Sequence, residues 1–318
     1  MNAFLNRRDF LAVSAAAATA TLAAGRSTAA GLHTKPHKAV LGSPTEAMLR
    51  NLKEAGFEGI ESLDRGASPK DAAQARKTAE KLGMRIHGVL YGWANFNQAD
   101  AVARDLASVE VALRAAQAYG ASTILLVPCR ISGMPMPEAW DLDIRFDEKT
   151  GHVKQVIAGD NARYQKYIEA HNHATDTSRA AVRQLIPVAE KTGILIALEN
   201  VWNGLWLKPD IFQNFVASFD NPWIRAYFDI GNHVKFAPPQ EWIRKLGKLI
   251  VKCHVKDFKL NANGHGGNFV QIREGSVDWP AVRQALDDLD YESWMSIEDL
   301  QLPLAEGSRR LDLILAGK

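Results

Sequence analysis

Ile194-Leu195-Ile196-Ala197-Leu198-Glu199-Asn200 sets five apolar residues in a row and closes them with a carboxylate and an amide. A short unbroken apolar run of this kind reads as a strand buried on both faces, the habit of a parallel sheet. Seven further short runs lie at 38–41, 59–62, 85–90, 122–128, 224–230, 250–257 and 294–299. Amphipathic stretches at 45–55, 69–82, 99–119, 164–192, 209–218, 240–246, 279–289 and 304–315 separate or follow them. Gly56, Gly83, Gly120 and Gly193 stand just after helical stretches, where a left-handed residue ends a helix. Eight β units alternating with eight α units predict an α/β protein, a closed (β/α)8 barrel ringed by helices. A doubly wound open sheet is the runner-up, and it lacks the glycine-rich phosphate loop expected after its first strand.

One segment departs from the alternation. About 130–163 is inserted between the fourth strand and its helix. Within it Asp143-Ile144-Arg145-Phe146-Asp147 and His152-Val153-Lys154-Gln155-Val156 flank a Gly151-containing turn, which predicts a β-hairpin. Long insertions in compact domains serve as lids or binding loops, so this hairpin is expected over the C-terminal rim.

The ends of the last four barrel strands carry the chemistry. Glu199 closes the first quoted run, Asp229 closes Ala226-Tyr227-Phe228-Asp229, His254 lies in Cys253-His254-Val255-Lys256-Asp257, and Glu298 lies in Met295-Ser296-Ile297-Glu298-Asp299. A carboxylate at the end of a buried strand is costly unless it is paired or ligates a metal. Strand ends converge on the axis of a closed barrel, so these four form one hard, oxygen-rich site. Such a site suits one divalent ion, Mn²⁺ first, with Mg²⁺ or Co²⁺ as alternatives.

Glu199-Asn200, Tyr227-Phe228-Asp229-Ile230-Gly231-Asn232, His254-Val255-Lys256-Asp257, Glu274-Gly275-Ser276-Val277-Asp278-Trp279 and Ser296-Ile297-Glu298 together resemble the xylose isomerase-like TIM-barrel superfamily over most of 36–318. That group includes sugar phosphate isomerases and epimerases, ketose 3-epimerases, hydroxypyruvate isomerase, inosose dehydratase and endonuclease IV. The resemblance implies a TIM barrel, metal ligation by Glu199, Asp229, His254 and Glu298, and acid/base catalysis by Glu199 and Glu298. Asn232 stands where the epimerase motif has a His, with His233 one position later, which argues against a plain ketose epimerase.

The implied chemistry is proton transfer at a carbon next to a carbonyl. Two carboxylates epimerise a keto-sugar through its enolate; a leaving group on the β-carbon turns the same enolate into a lyase of 3-keto-glycosides. Substrate contacts are expected from His87, Trp93, Arg130, Trp202, Asn203, Lys256 and Asp257. For several of these a plain structural role competes: core packing for His87, rim packing for Trp93, a carboxylate pair for Arg130 and a surface charge for Lys256. Glu274 is expected to order a loop, and His171, His173 and His265 are expected to be exposed. A non-catalytic sugar-binding barrel and an endonuclease are the competing classes; the endonuclease needs more His ligands and a basic groove.

The first thirty residues read separately. Asn6-Arg7-Arg8-Asp9-Phe10-Leu11, an Ala-rich stretch at 10–24 and small residues at 27–30 form a twin-arginine signal pattern. Export into the periplasm follows as the expectation, with 31–318 as a single barrel domain. The apolar stretch is too short and weak for a stable membrane anchor. Removing Arg7, Arg8, Arg26 and Asp9 lowers the formal charge from +2 to zero, which speaks against nucleic acid as a partner. The partner expected is a small carbohydrate, unphosphorylated because the site is periplasmic; monomer and homo-oligomer both stay open. Cys129 and Cys253 fall on strands four and seven, too far apart for a disulfide, so both are read as small buried apolar residues.

Overall fold

The computed structural model describes residues 31–318; the signal-peptide expectation lies outside the described residues. Twelve strands and eight α-helices occur among them. In chain order these are β1 (His37–Gly42), α1 (Glu46–Glu54), β2 (Gly59–Ser62), α2 (Pro69–Lys81), β3 (Arg85–Trp93), α3 (Val102–Tyr119) and β4 (Thr123–Val127). There follow β5 (Leu142–Phe146), β6 (Val153–Ile157), α4 (Gln165–Thr192), β7 (Leu195–Glu199), α5 (Pro209–Ala217), β8 (Ile224–Asp229) and α6 (Pro239–Leu246). The chain ends with β9 (Ile250–Val255), β10 (Asp257–Leu260), β11 (Gly267–Val270), α7 (Trp279–Asp287), β12 (Trp294–Ile297) and α8 (Leu304–Leu315).

Eight strands close on themselves in the order β1-β12-β9-β8-β7-β4-β3-β2, and each barrel pair is parallel. This is the (β/α)8 TIM barrel. The period of two along each strand sorts side chains into two populations. Ile124, Leu126, Ile196, Leu198, Phe228, Cys253 and Met295 belong to the large apolar layer between sheet and helices. Leu125, Val127, Ala197 and Tyr227, which alternate with them, form a separate small cluster inside the barrel. On that inward parity lie Glu61, Glu199, Asp229 and His254. The alternation that builds the core therefore also aims the polar residues at the axis.

Local signals set the helix limits. Thr45 and Ser68 accept from backbone N–H groups in the first turns of α1 and α2, and Pro69 opens α2. Gly120 and Gly193 end α3 and α4 at φ 71° and 70°, in the left-handed region. The buried face of α4 runs Tyr167, His171, Ala174, Ser178, Ala181 and Leu185, a helical spacing against the barrel wall.

The inserted hairpin forms as β5–β6, antiparallel. It packs on α4 and borders the loops that lead into α5 and α6. Asn172 of α4 clasps Val153, accepting from its N–H at 2.7 Å and donating to its carbonyl at 3.1 Å. Arg179 donates to Thr150 O at 2.9 Å, and Asn214 of α5 donates to Glu148 O at 2.8 Å. His171 corrects its expectation: it is fully buried and accepts from Trp206 N at 3.2 Å. His173 and His265 are exposed as expected. Glu274 pairs with Arg310 at 2.6 Å, and both cysteines are free and buried.

Candidate metal centre

Glu199, Asp229, His254 and Glu298 each offer one ligand atom, and these atoms lie within 4.8 Å of one another. His254 Nδ1 is 2.9 Å from Glu298 Oε2, 3.4 Å from Glu199 Oε1 and 4.0 Å from Asp229 Oδ2. Asp229 Oδ2, His254 Nδ1 and Glu298 Oε2 are buried and make no well-formed hydrogen bond. Buried polar atoms of native proteins are nearly always satisfied. Three such atoms converging on one point, drawn from carboxylates and an imidazole, fit a divalent cation. Lys256 Nζ reaches the same point, 2.9 Å from Glu298 Oε2 and 3.5 Å from Asp229 Oδ2.

Each ligand atom is aimed by a neighbour. Asp229 Oδ1 accepts from Gly231 N and Asn232 N at 2.9 and 2.7 Å, which turns Oδ2 to the cluster. Asn200 accepts from Asp229 N at 2.7 Å and donates to Asp229 O at 2.8 Å, locking the ends of β7 and β8 together. A Cβ at Gly231 would lie 2.6–2.9 Å from Lys256 atoms, so only glycine admits this approach. Asn232 Nδ2 donates to Asn200 O at 3.0 Å and reaches Glu199 Oε1 at 3.5 Å. His233 turns away, buried against Trp242 with Nδ1 3.2 Å from Asn200 Nδ2, and does not take up the role of the missing motif His.

Sequence reasoning missed Glu61. It is fully buried inside the barrel at the end of β2. Its Oε2 lies 2.9 Å from His254 Nε2 and accepts from Tyr227 Oη at 2.5 Å. That contact holds the Nε2 proton and leaves Nδ1 for the ion, the usual division of labour in a metal-ligating His. Gly88 supplies the space: a Cβ there would sit 3.1 Å from Thr123 Oγ1 and 3.5 Å from Glu61 Oε1.

The electrostatics match a cation site. Burial, then repulsion from Glu298, raises Glu199, against the pull of His254. Burial also pushes Asp229 up to about 7, with Glu298 and Glu199 adding to it against the pull of Lys256. Burial works to lower His254, yet the charges of Glu298 and Glu61 hold it well above the ordinary imidazole range. Burial opposes ionisation of Glu298 too, but His254 and Lys256 hold it well below the carboxylate range. Ligation needs a neutral imidazole, so a proton and a cation compete for His254 Nδ1.

The proposed substrate contacts divide. Lys256 is at the centre. Trp202, Trp93 and Arg130 lie at the C-terminal rim: Arg130 stacks over Trp93 at 3.9 Å, and Trp202 donates from Nε1 to Asn232 O. Three of the candidates have partners of their own. Asp257 alternates with Lys256, and both its oxygens are taken by the N–H groups of Phe258, Arg273, Gly275, Val277 and the Trp279 indole. Asn203 is buried, donating to Cys129 O and accepting from Leu205 N, and orders its loop. His87 is a buried interior residue, stacked on Trp294 at 4.5 Å and bonded to Ser296 Oγ at 2.9 Å, below the metal ligands.

A family model described as xylose isomerase-like TIM barrel matches residues 49–312, and the chain belongs to that family. A curated relative, L-ribulose-5-phosphate 3-epimerase UlaE of Escherichia coli K12, is 26% identical over 180 residues, 54% of this chain and 60% of that protein. The matches with the first curated relatives span 47% to 60% of those proteins' length. Among solved structures, 3-keto-D-glucoside 4-epimerase of Escherichia coli superposes with TM-score 0.65 at 13% identity, covering 88% of this chain and 99% of that one. A xylose isomerase-like TIM barrel protein of Mycobacterium smegmatis, in complex with magnesium, superposes with TM-score 0.62 at 19% identity, covering 90% and 97%.

Proposed function

We propose, with that family membership as the premise, that the chain is a divalent-metal-dependent sugar epimerase or isomerase working through the enolate of a keto-sugar. One observation carries this reading: Glu199 and Glu298, two carboxylates able to move protons, both reach the same small space beside His254 Nδ1. Burial raises Glu199, whereas His254 and Lys256 lower Glu298. Unlike environments suit unlike roles, one carboxyl group giving a proton and the other taking one. Glu199, Asp229, His254 and Glu298 would hold the ion, which supplies Lewis-acid stabilisation of negative charge developing on substrate oxygens. Lys256 adds a fixed positive charge to the same field, and Asn232 orients Glu199. The sugar epimerases among the relatives support the substrate class.

Export through the twin-arginine route, residence in the periplasm and hence an unphosphorylated substrate belong to the same proposal, supported by Arg7, Arg8 and the Ala-rich stretch after them. A second reading, a lyase of 3-keto-glycosides, uses the same proton abstraction and then expels a leaving group from the β-carbon. A mostly apolar cleft lined by Met136, Trp140, Trp202 and Phe236, with room for a leaving group, favours it. Manganese-loaded protein incubated with keto-sugars in D₂O should place deuterium on the carbon next to the carbonyl. Glu199→Gln and Glu298→Gln should each slow that exchange by about 10²–10⁴-fold, as loss of a positioned acid or base does. Exchange that survives both changes refutes the assignment. Release of an aglycone from a 3-keto-glycoside selects the lyase.

A further inference from the structure

Two clefts open side by side, one at the metal ligand Glu298 and the other across the Trp202–Phe269 pair. One, of about 320 Å³, mixes polar and apolar groups and is lined by Lys256, Gln271, Ile272, Ile297, Glu298 and Gln301. The other, of about 600 Å³, is mostly apolar and is lined by Arg130, Met136, Trp140, Trp202, Leu207 and Phe236. Phe269 borders the first and Trp202 the second, and their rings lie 5.0 Å apart, so this aromatic pair stands between them.

We propose that the apolar cleft is a subsite for a second ring of the substrate, a ring with an apolar face joined through a glycosidic oxygen to the sugar at the metal centre. The proposal rests on the reading that a sugar occupies that centre. Six large hydrophobic residues are exposed among the described residues, and four of them, Trp93, Trp140, Trp202 and Phe269, gather here. Exposed aromatic clusters on a soluble chain mark binding surfaces. Their arrangement is built rather than loose. Lys235 Nζ sits 3.5 Å over the Trp202 ring, Arg130 sits over Trp93, and His265 stacks on Trp140 at 4.2 Å. The floor is preformed as well: Ile131 N donates to Asn203 O at 2.9 Å, and a Cβ on Gly204 would lie 2.7 Å from Ile131 O, so the loops after β4 and β7 are in close contact.

Continuity with the centre selects the occupant. The Trp202 indole donates to Asn232 O, and the Asn232 side chain reaches Glu199. A molecule held at Glu199 and too long for the smaller cleft extends over Trp202. Planar aromatic side chains hold either an aryl π-face or the C–H face of a pyranose, so an aryl glycoside and a disaccharide are the two sources of this chemistry.

Methyl β-glucoside, phenyl β-glucoside and cellobiose titrated calorimetrically into the manganese-loaded protein separate them. At least one ringed ligand should bind about tenfold tighter than methyl β-glucoside, a 1.4 kcal/mol difference, and the tighter of the two identifies the source. Trp140→Ala should erase that preference. Met136→Trp, which fills the cleft instead of emptying it, should erase it too and keeps the test open if Trp140→Ala fails to fold. Equal binding of all three, or a preference that survives both variants, overturns the proposal. Deuterium exchange on a free ketose is read separately, so loss of the enzymatic reading and loss of the subsite are told apart.

Discussion

Glu61 acts through another residue. Inside the barrel it can hold the His254 Nε2 proton only because Gly88 leaves room and Tyr227 donates to the same oxygen. Partners of this kind tune metal affinity by about 10–100-fold. Glu61→Gln removes the charge but keeps the size, so manganese affinity measured by calorimetry should fall by that factor. Unchanged affinity would show that His254 is aimed by packing alone. The signal for Glu61 was present in the sequence, because Gly59-Ile60-Glu61-Ser62 also places a carboxylate near the end of an apolar run. A single carboxylate near a strand end carries little meaning alone, and its role comes only from His254, which is distant in sequence. Asp257 is the converse case: nearness in sequence to His254 suggests a substrate contact, whereas its carboxylate serves the N–H groups of the following loop. Single-residue roles depend on contacts between strands that are distant in sequence, and no local pattern encodes those.

Elements were legible where periodicity is strong. The eight barrel strands and eight helices follow from runs of two kinds, and the left-handed glycines fixed several ends. The hairpin is legible from its turn, but the contacts that hold it are not. Its destination is set by Asn172 and Arg179 on α4, far along the chain, whose side chains find backbone groups of the hairpin rather than one another. That geometry makes β5–β6 a brace. Asn172→Ala leaves the Val153 N–H and carbonyl without partners, at a cost of about 1–3 kcal/mol each when buried. Urea unfolding should show the loss, and protease nicking within 142–157 should rise, while manganese affinity stays as it was. A matching fall in metal affinity would show that the hairpin is coupled to the metal centre and is more than a brace. Asn203 obeys the same logic, since a polar residue beside a ligand served its own loop.

For the whole molecule, the barrel that concentrates carboxylates at its axis also buries imidazoles outside it, and Asp229 responds to pH in the opposite sense to those imidazoles. Burial lowers both His171 and His233 to about 3. Their ordinary value is 6.5, so between about 3 and 6.5 the unfolded chain binds protons that the folded chain refuses. Their stability contribution is therefore present above pH 6.5 and is lost as pH falls, by about 1.4 kcal/mol per unit for each histidine. Asp229 acts against this. With its folded value pushed up to about 7 from 3.8, the folded chain keeps a proton that the unfolded chain gives up, so its stability falls as pH rises through that window. The two effects partly cancel in metal-free protein. A bound divalent ion keeps Asp229 ionised, removes the cancellation and adds its own competition with protons. Urea unfolding between pH 7 and 4.5 should therefore be steeper in pH for manganese-loaded than for metal-free protein. His171→Gln keeps an acceptor for Trp206 N and should flatten both curves by about one proton. Equal slopes with and without manganese would mean that Asp229 does not face the ion.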